Sequence, residues 1–321
     1  MVNCSRGGDD VMLQGLKHLL AASRKAGAKQ FLHVSSVMVY GDPPHPASTR
    51  ENAPTQPLRG TYGWTKLKQD ELVEAAARSG LLSTVLCPPN ISGPYSYYLL
   101  DILAAIREGS LALLDEGAAP CLLVDVTNLC HAIELALERG PGDGRRLFLT
   151  DDESVTWRAL LDGLAPLLPA GAIDRLPRLS LEALRKLCQP PAKSKMSPLR
   201  SVKHLFSADV RPALCRDPLW EKLDASLRRS VSLLGRSMED RLRLSIDGPL
   251  SIPKARRAPR VNTQLSSHQL RSVRHDCALA KERLGYRPVA SFQHSMAAFR
   301  AWYAQHCGTA NGYEDLLGYL G

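Results

Sequence analysis

Helical and extended segments alternate through the first part of this sequence, and their order restricts the fold more than any other feature. Residues 11–29 place apolar side chains at helical spacing, with Gly27 where the helix would end. A short strand is predicted at Gln30–Ser36, a second helix from Thr61 to Arg78 and a second strand at Ser83–Pro89. This alternation predicts a parallel α/β sheet, whose ligands bind beyond the carboxyl ends of the strands.

The alternation continues to about residue 150 and then becomes less regular. We therefore predict one domain over residues 1–150 and a smaller, partly helical region over residues 151–321. The further predicted elements are helix Leu99–Arg107, strand Cys121–Val124, helix Val126–Arg139, strand Arg146–Thr150, and helices Cys277–Leu284 and Gln293–Tyr303.

The composition is that of a globular protein with a substantial core, since 44% of the 321 residues are hydrophobic and 23% are charged. No stretch approaches the roughly 18 apolar residues of a membrane-spanning helix, and Met1–Asp10 does not resemble a signal peptide. We therefore expect a cytoplasmic protein. The eight cysteines lack the spacing of a disulfide framework or a zinc site, so no metal is expected.

Positive charge is concentrated at about residues 186–260, which hold 17 Lys/Arg against 7 Asp/Glu. Because no aromatic interleaving or known reading module accompanies this charge, nucleic acid is not expected as a partner. Leu219 to Leu234 predicts one amphipathic helix within this segment. Three interpretations remain open: arginines that bind a diphosphate, a surface in peripheral contact with an anionic membrane, and a solvated insertion.

Three motifs follow one another at predicted strand ends and helix starts. They are HVSSVMVYG at His33–Gly41, YGWTK at Tyr62–Lys66 and LCPPNISGP at Leu86–Pro94. In this order they resemble the extended short-chain dehydrogenases/reductases, also called the NAD-dependent epimerase/dehydratase family. The resemblance implies a Rossmann-like, NAD(P)-binding domain at residues 1–150 and a substrate-binding region at residues 151–321.

The resemblance also implies catalytic roles for Ser36, Tyr62 and Lys66. In the family, the tyrosine exchanges a proton with the substrate oxygen, the lysine also binds the nicotinamide ribose, and the serine hydrogen-bonds the substrate oxygen. Ser35 is the neighbouring alternative to Ser36. A free tyrosine, with a pKa near 10, is a poor base at neutral pH, and an ammonium one helical turn away favours its ionised form.

Other segments match the family beside the cofactor and near the C-terminus. Pro88, Pro89 and Asn90 match the segment that lies beside the nicotinamide and the substrate, so they join Tyr62 and Lys66 as predicted cofactor-binding residues. The cofactor is expected to be NAD or NADP. Supporting matches are Val124–Val126, in the family's segment before a helix, and Ala280–Pro288 with Trp302 near the end.

The sequence departs from the family at the turn that holds the cofactor pyrophosphate. The family begins with a strand, a GxxGxxG turn and a helix. Gly7-Gly8 and Gly140–Gly144 are interpreted as simple turns, because neither follows a strand and opens a helix. We therefore expect a truncated sheet lacking about two βαβ units, and weak cofactor binding. An exposed apolar face would then favour a homodimer or pairing with a separately encoded N-terminal half.

Two substitutions affect the expected chemistry. Met12 stands where the family commonly has an asparagine that supports the active-site water chain, which puts the proton relay in doubt. Cys87 replaces a common arginine, and it is interpreted as a packing residue rather than a nucleophile.

The sequence leaves three functions open. The first is hydride exchange between NAD(P) and a secondary alcohol or ketone on a sterol-like or similarly apolar small molecule, as in the 3β-hydroxysteroid dehydrogenase and dihydroflavonol reductase-like branch, with activity impaired in this form. The second is a nucleotide-sugar epimerase or dehydratase. The third is a non-catalytic remnant or half-protein that acts as a binding module.

Overall fold

The computed structural model describes residues 1–188 and 261–306. Helices and strands alternate along most of the chain, as the sequence predicts. In chain order they are β1 (Val2–Asn3), α1 (Asp9–Lys25), β2 (Phe31–Val34), α2 (Tyr62–Arg78), β3 (Ser83–Cys87), β4 (Asn90–Ser92), α3 (Tyr97–Arg107), β5 (Leu113–Leu114), β6 (Leu123–Asp125), α4 (Val126–Arg139), β7 (Asp143–Phe148), α5 (Trp157–Leu164), β8 (Arg178–Leu179), α6 (Leu181–Cys188), α7 (Thr263–Ser266), α8 (Ala278–Leu284) and α9 (Phe292–His306).

The main sheet of the described residues has four parallel strands in the order β1-β2-β3-β7. In register, Val2 pairs with Leu32, Phe31 with Ser83 and Leu86 with Leu147. Parallel neighbours require crossover connections, and here these contain α1, α2 and α4. The predicted α/β, Rossmann-like fold class is confirmed.

Alternate residues of each strand face opposite sides of the sheet, so each face has its own core. Phe31 and Val85 pack with Leu16 of α1 and Val73 of α2 on one face. The other face is covered by α4 and α8; its core contains Leu32, Leu86, Leu129, Leu135, Leu147, Ala280 and Leu284. Helices therefore cover both faces, which explains why every residue of the strands β2 and β3 is buried.

A separate core lies outside the main sheet. It contains Leu99, Ile102, Leu123, Trp157, Leu160, Ile173, Phe299 and Trp302. This core contains residues from both sides of position 150. The division into one domain at residues 1–150 and a smaller region at residues 151–321 stays a prediction.

Glycine ends both helices next to the predicted motifs. Gly27, at φ +64°, follows α1, and the amides of Gly27 and Ala28 bond back to the carbonyls of Arg24 and Ser23. This is a Schellman arrangement, and it confirms the helix end predicted at Gly27. Gly80 has φ +94° after α2.

Several predicted boundaries are corrected. The two-residue strand β1 was not predicted, because so short a segment shows no alternation to recognise. Strand β6 begins at Leu123 rather than Cys121, and β7 begins at Asp143 rather than Arg146. Within the described residues, no helix is long and apolar enough to cross a membrane. The helix predicted at Leu219–Leu234 and the basic residues from position 189 to 260 lie outside the described residues.

Candidate active site

Ser36 lies at the carboxyl ends of β2 and β3, where the fold predicts a ligand site. The Ser35 amide donates to the Leu86 carbonyl at 2.7 Å, and the Val37 amide donates to the Pro88 carbonyl at 3.1 Å. These two bonds place Ser36 beside the Pro88 segment. The Ser36 hydroxyl also accepts a hydrogen bond from the Met38 amide at 3.2 Å, so it caps the following 3-10 turn.

A glycine brings the start of α2 against that turn. At Gly63, a Cβ atom would lie only 2.3 Å from the Met38 carbonyl oxygen, so a larger residue cannot fit without moving backbone. The helix is capped by Thr61, whose hydroxyl accepts from the Trp64 amide. Close approach at Gly63 therefore positions the neighbouring Tyr62 next to the segment that carries Ser36.

Lys66 lies one turn farther along α2 and is almost completely buried, at 3% exposure. Its Nζ donates to the Val34 carbonyl at 2.9 Å and lies 5.8 Å from the centre of the Tyr62 ring. Burial lowers the pKa of Lys66, and the charge of Asp70 opposes that shift. The ammonium is thus held at the end of β2, beside the tyrosine.

Tyr62 remains accessible, with 40% of its surface exposed. Burial raises the pKa of Tyr62, while the charge of Arg6 lowers it and Asp70 raises it. The guanidinium carbon of Arg6 lies 5.6 Å from the centre of the Tyr62 ring. Two cations, Arg6 and Lys66, therefore contact the candidate proton donor.

A row of buried polar side chains supports this site, and sequence reasoning missed it. The Asn3 amide group contacts His33 Nδ1 at 3.0 Å, and His33 Nε2 lies 3.7 Å from Asp70 Oδ1. Arg146 Nε donates to Asp70 Oδ2 at 2.6 Å. Burial lowers the pKa of His33 to about 3, with Lys66 adding to the shift, so this imidazole is neutral at physiological pH.

Asp70 and Arg146 also line a cavity of about 560 Å³, but none of the predicted site residues forms part of its wall. The i+4 spacing of Lys66 and Asp70 on one helix face was visible in the sequence. The partner on β7 was not, because Arg146 is 76 residues away in the chain.

The remaining predicted residues lie around the same strand ends. Pro88 and Pro89 are buried after β3, and Asn90, half-buried, begins β4. Burial raises the pKa of the Cys87 thiol well above its usual value, which favours its interpretation as a packing residue. Met12 is 2% exposed and its carbonyl accepts a hydrogen bond from Gln69 at 2.7 Å.

The prediction for the turn at Gly7-Gly8 is wrong about what precedes it. Sequence reasoning placed no strand before it, but in the structure it connects β1 to α1, and Gly8 is the N-cap residue of that helix. The short strand concealed this arrangement. The turn is nevertheless unsuited to a pyrophosphate, because it lacks the GxxGxxG pattern.

The described residues therefore fit one end of a nicotinamide dinucleotide better than the other. Tyr62 and Lys66, beside Pro88–Asn90, are the residues that the sequence resemblance assigns to the nicotinamide and its ribose. No described strand–glycine turn–helix unit matches the part that holds the pyrophosphate.

Comparison with known proteins agrees with this geometry. Residues 8–146 match the model of the NAD dependent epimerase/dehydratase family. Over this segment the chain resembles that family, as the sequence motifs indicate. The matched segment contains Ser36, Tyr62, Lys66 and the supporting residues His33, Asp70 and Arg146.

Two curated relatives favour the predicted 3β-hydroxysteroid dehydrogenase-like branch. A 4-hydroxy-2-methyl-3-oxo-4-farnesyl-3,4-dihydroquinoline-1-oxide ketoreductase of Stigmatella aurantiaca is 33% identical over 150 residues, covering 46% of this chain and 44% of that protein. The 3beta-hydroxysteroid-dehydrogenase/decarboxylase isoform 2 of Arabidopsis thaliana is 31% identical over 172 residues, covering 48% and 30%. The chain thus spans less than half the length of these relatives.

The fold is also found among solved structures. The dTDP-glucose 4,6-dehydratase of Bacillus anthracis, solved with NAD, superimposes with a TM-score of 0.55 at 15% identity, covering 95% of this chain and 72% of that one. At this identity the likeness concerns the fold alone.

Proposed function

We propose that this chain contains the proton-transfer part of an NAD(P)-dependent oxidoreductase that interconverts a secondary alcohol and a ketone on an apolar small molecule. The observation that supports the proposal best is the placement of Tyr62, accessible and in contact with Lys66, beside the segment of Ser36. The named activities of the curated relatives, a ketoreductase and a hydroxysteroid dehydrogenase, agree with it.

Each of the three side chains has a separate task in this reaction. For reduction, the Tyr62 hydroxyl donates its proton to the carbonyl oxygen of the substrate, and for oxidation the phenolate takes it back. Ser36 accepts a bond from the Met38 amide, which leaves its own O–H free to donate to the same substrate oxygen. Lys66, fixed by the Val34 carbonyl, keeps a positive charge beside the phenol. NAD(P), when bound, supplies or accepts the hydride.

The cofactor and partners form part of the proposal. Tyr62, Lys66, Pro88, Pro89 and Asn90 would hold the nicotinamide end of NAD or NADP. The small-molecule substrate, the cytoplasmic location, a homodimer or a separate N-terminal half, and membrane contact through residues 186–260 stay predictions.

The proposal is tested by Tyr62→Phe in the full chain, assayed for NADH- and NADPH-dependent reduction of apolar ketones, including a 3-ketosteroid. We expect turnover to fall by about 10² to 10⁴, because the general acid is removed. The dissociation constant for the cofactor should change little. Tyr95→Phe is the matched control, since Tyr95 is 53% exposed and packs on Trp302 through its ring. Equal turnover in Tyr62→Phe and the unmodified chain contradicts the role of Tyr62.

A nucleotide-sugar substrate, which the sequence left open, is the second candidate; a dTDP-glucose 4,6-dehydratase is among the solved proteins with this fold. Turnover of UDP-glucose or dTDP-glucose in the same assay, with none of apolar ketones, would support this candidate over the first. Calorimetry with NADH and NADPH tests the non-catalytic alternative. We expect weak cofactor binding by the chain alone, and tight saturable binding would contradict that expectation.

A further inference from the structure

The geometry points to Arg6 as a positioning residue for Tyr62: from the β1–α1 turn, it holds the ring and places a positive charge beside it. This inference extends the proposed function, since it concerns the proton donor of that reaction. Arg6 was not among the predicted site residues, and it does not belong to any of the motifs at Ser36, Tyr62 or Pro88.

The contact itself is geometric. The guanidinium carbon of Arg6 lies 5.6 Å from the Tyr62 ring centre, within the range of a cation–π interaction. Lys66 Nζ lies at a similar distance, 5.8 Å. A planar guanidinium can lie against an aromatic ring in a way that a compact ammonium cannot.

Hydrogen bonds hold the turn that presents Arg6. Asn3 Oδ1 accepts from the Ser5 amide at 3.2 Å and from the Ser5 hydroxyl at 2.7 Å. The other end of the Asn3 side chain contacts His33 Nδ1 at 3.0 Å, in the centre of the buried polar row. The residue before Arg6 is therefore tied to the strand that ends beside Ser36.

The two cations are not equivalent. Lys66 is buried and donates to the Val34 carbonyl, so its charge is partly satisfied by the backbone. Arg6 is exposed, and none of the ion pairs among the described side chains, which exclude those of Asp9 and Asp10, includes it.

The charged and titratable groups around Tyr62 come from three elements. Arg6 on the β1–α1 turn lowers the pKa of the phenol, whereas Asp70 on α2 and Cys87 on β3 raise it, as does burial, the largest cause. Lys66 is the fourth neighbour, on α2. Because the opposing groups are buried and Arg6 is exposed, Arg6 can be changed without disturbing the core.

The test is a titration of Tyr62 in the full chain, followed by the ultraviolet absorbance of the phenolate. The curve of Tyr62 is obtained in each background by subtracting the curve of the same protein with Tyr62→Phe. Arg6→Gln should move the onset of Tyr62 ionisation to higher pH. Arg6→Lys should restore part of the shift, and added salt should reduce the difference, since an exposed charge is screened. The comparison is restricted to the pH range in which circular dichroism is unchanged.

Arg185→Gln is the matched control, because it also replaces an exposed arginine, here on α6. We expect no change in the titration curve of Tyr62. An unchanged titration in Arg6→Gln overturns the inference. An equal shift in Arg185→Gln also overturns it, because the effect would then come from net charge.

The titration requires neither cofactor nor turnover, so it separates the two proposals. If the chain proves inactive, the proposed function fails, but the Tyr62 titration can still be measured and still tests the role of Arg6. If the chain is active, Arg6→Gln should move the basic limb of the kcat profile in the same direction as the titration, with KM little changed.

Discussion

Two strand-to-helix connections meet at the same edge of the sheet, and they are built differently. The connection from β2 to α2 contains Ser36 and leads to Tyr62, and it is fixed by close backbone contact at Gly63 and by buried polar groups. The connection from β1 to α1 contains Gly7 and Gly8, and a Cβ at Gly8 would meet nothing within 4 Å. The first is suited to hold reacting groups in one geometry. The second has room for a side chain at Gly8, and it lacks the features of a pyrophosphate turn.

The largest effect on stability is expected at the ion pair beneath the first connection. Asp70→Ala removes a buried carboxylate and leaves Arg146, 20% exposed, without its partner. We expect the free energy of unfolding to fall by about 3 kcal/mol or more, in line with broken buried pairs. Urea denaturation measures it.

Two further variants sharpen this test. Asp162→Ala breaks an exposed pair with Arg158 and should cost less than about 1 kcal/mol. The double variant Asp70→Ala/Arg146→Met should be more stable than Asp70→Ala alone, because no unpaired charge remains. If Asp70→Ala and Asp162→Ala lowered the free energy of unfolding equally, the Asp70–Arg146 pair would add no more stability than an exposed pair.

The glycines of the two connections give a direct comparison. Gly63→Ala places a methyl group against the Met38 carbonyl, and we expect a loss of about 2 kcal/mol or more, because backbone must move. Gly8→Ala should cost less than about 1 kcal/mol, the range for an N-cap position without crowding. Thermal denaturation of both variants measures the difference. A Gly63→Ala protein as stable as Gly8→Ala would contradict the close contact.

Protonation of His33 at acidic pH is expected to lower the free energy of unfolding by less than the substitutions above. Burial lowers the pKa of His33 from 6.5 to about 3, so between these values the unfolded chain binds more protons than the folded one. Its contribution to stability is therefore complete above pH 6.5 and is lost on acidification. Between pH 6.5 and 5 the loss is about 1.5 kcal/mol. Urea midpoints against pH measure it.

His33→Gln should flatten the acid side of that dependence. His275 and His268, whose pKa values burial lowers to about 4 and about 3, keep their own contributions in both proteins. An identical pH slope with and without His33 would show that this side chain is not buried in its neutral form.

The sequence predicted the parts of the site that are local in the chain. Tyr62 and Lys66 fall on one helical turn whatever the helix contacts, and Gly27 ends α1 through its own backbone conformation. The ordered motifs also led to the family, which the match over residues 8–146 supports. The roles of Ser36, Tyr62 and Lys66 stay predictions.

Contacts between distant segments could not be predicted. Strand β1 has two residues, so it is defined by its pairing with β2 rather than by its own pattern. The row from Asn3 to Arg146 joins β1, β2, α2 and β7, and the pattern of a single segment contains no signal for such a combination.

The sequence by itself thus determined the α/β class, the spacing of the tyrosine and lysine, and the helix stop at Gly27, because each depends on neighbouring residues. Only the tertiary structure decided that Gly63 must be small, that His33 stays neutral and that Arg6 reaches Tyr62. Those properties depend on groups that folding brings together. The Met38 backbone leaves no room for a side chain at Gly63, burial removes water from His33, and the β1–α1 turn brings the charge of Arg6 close to Tyr62.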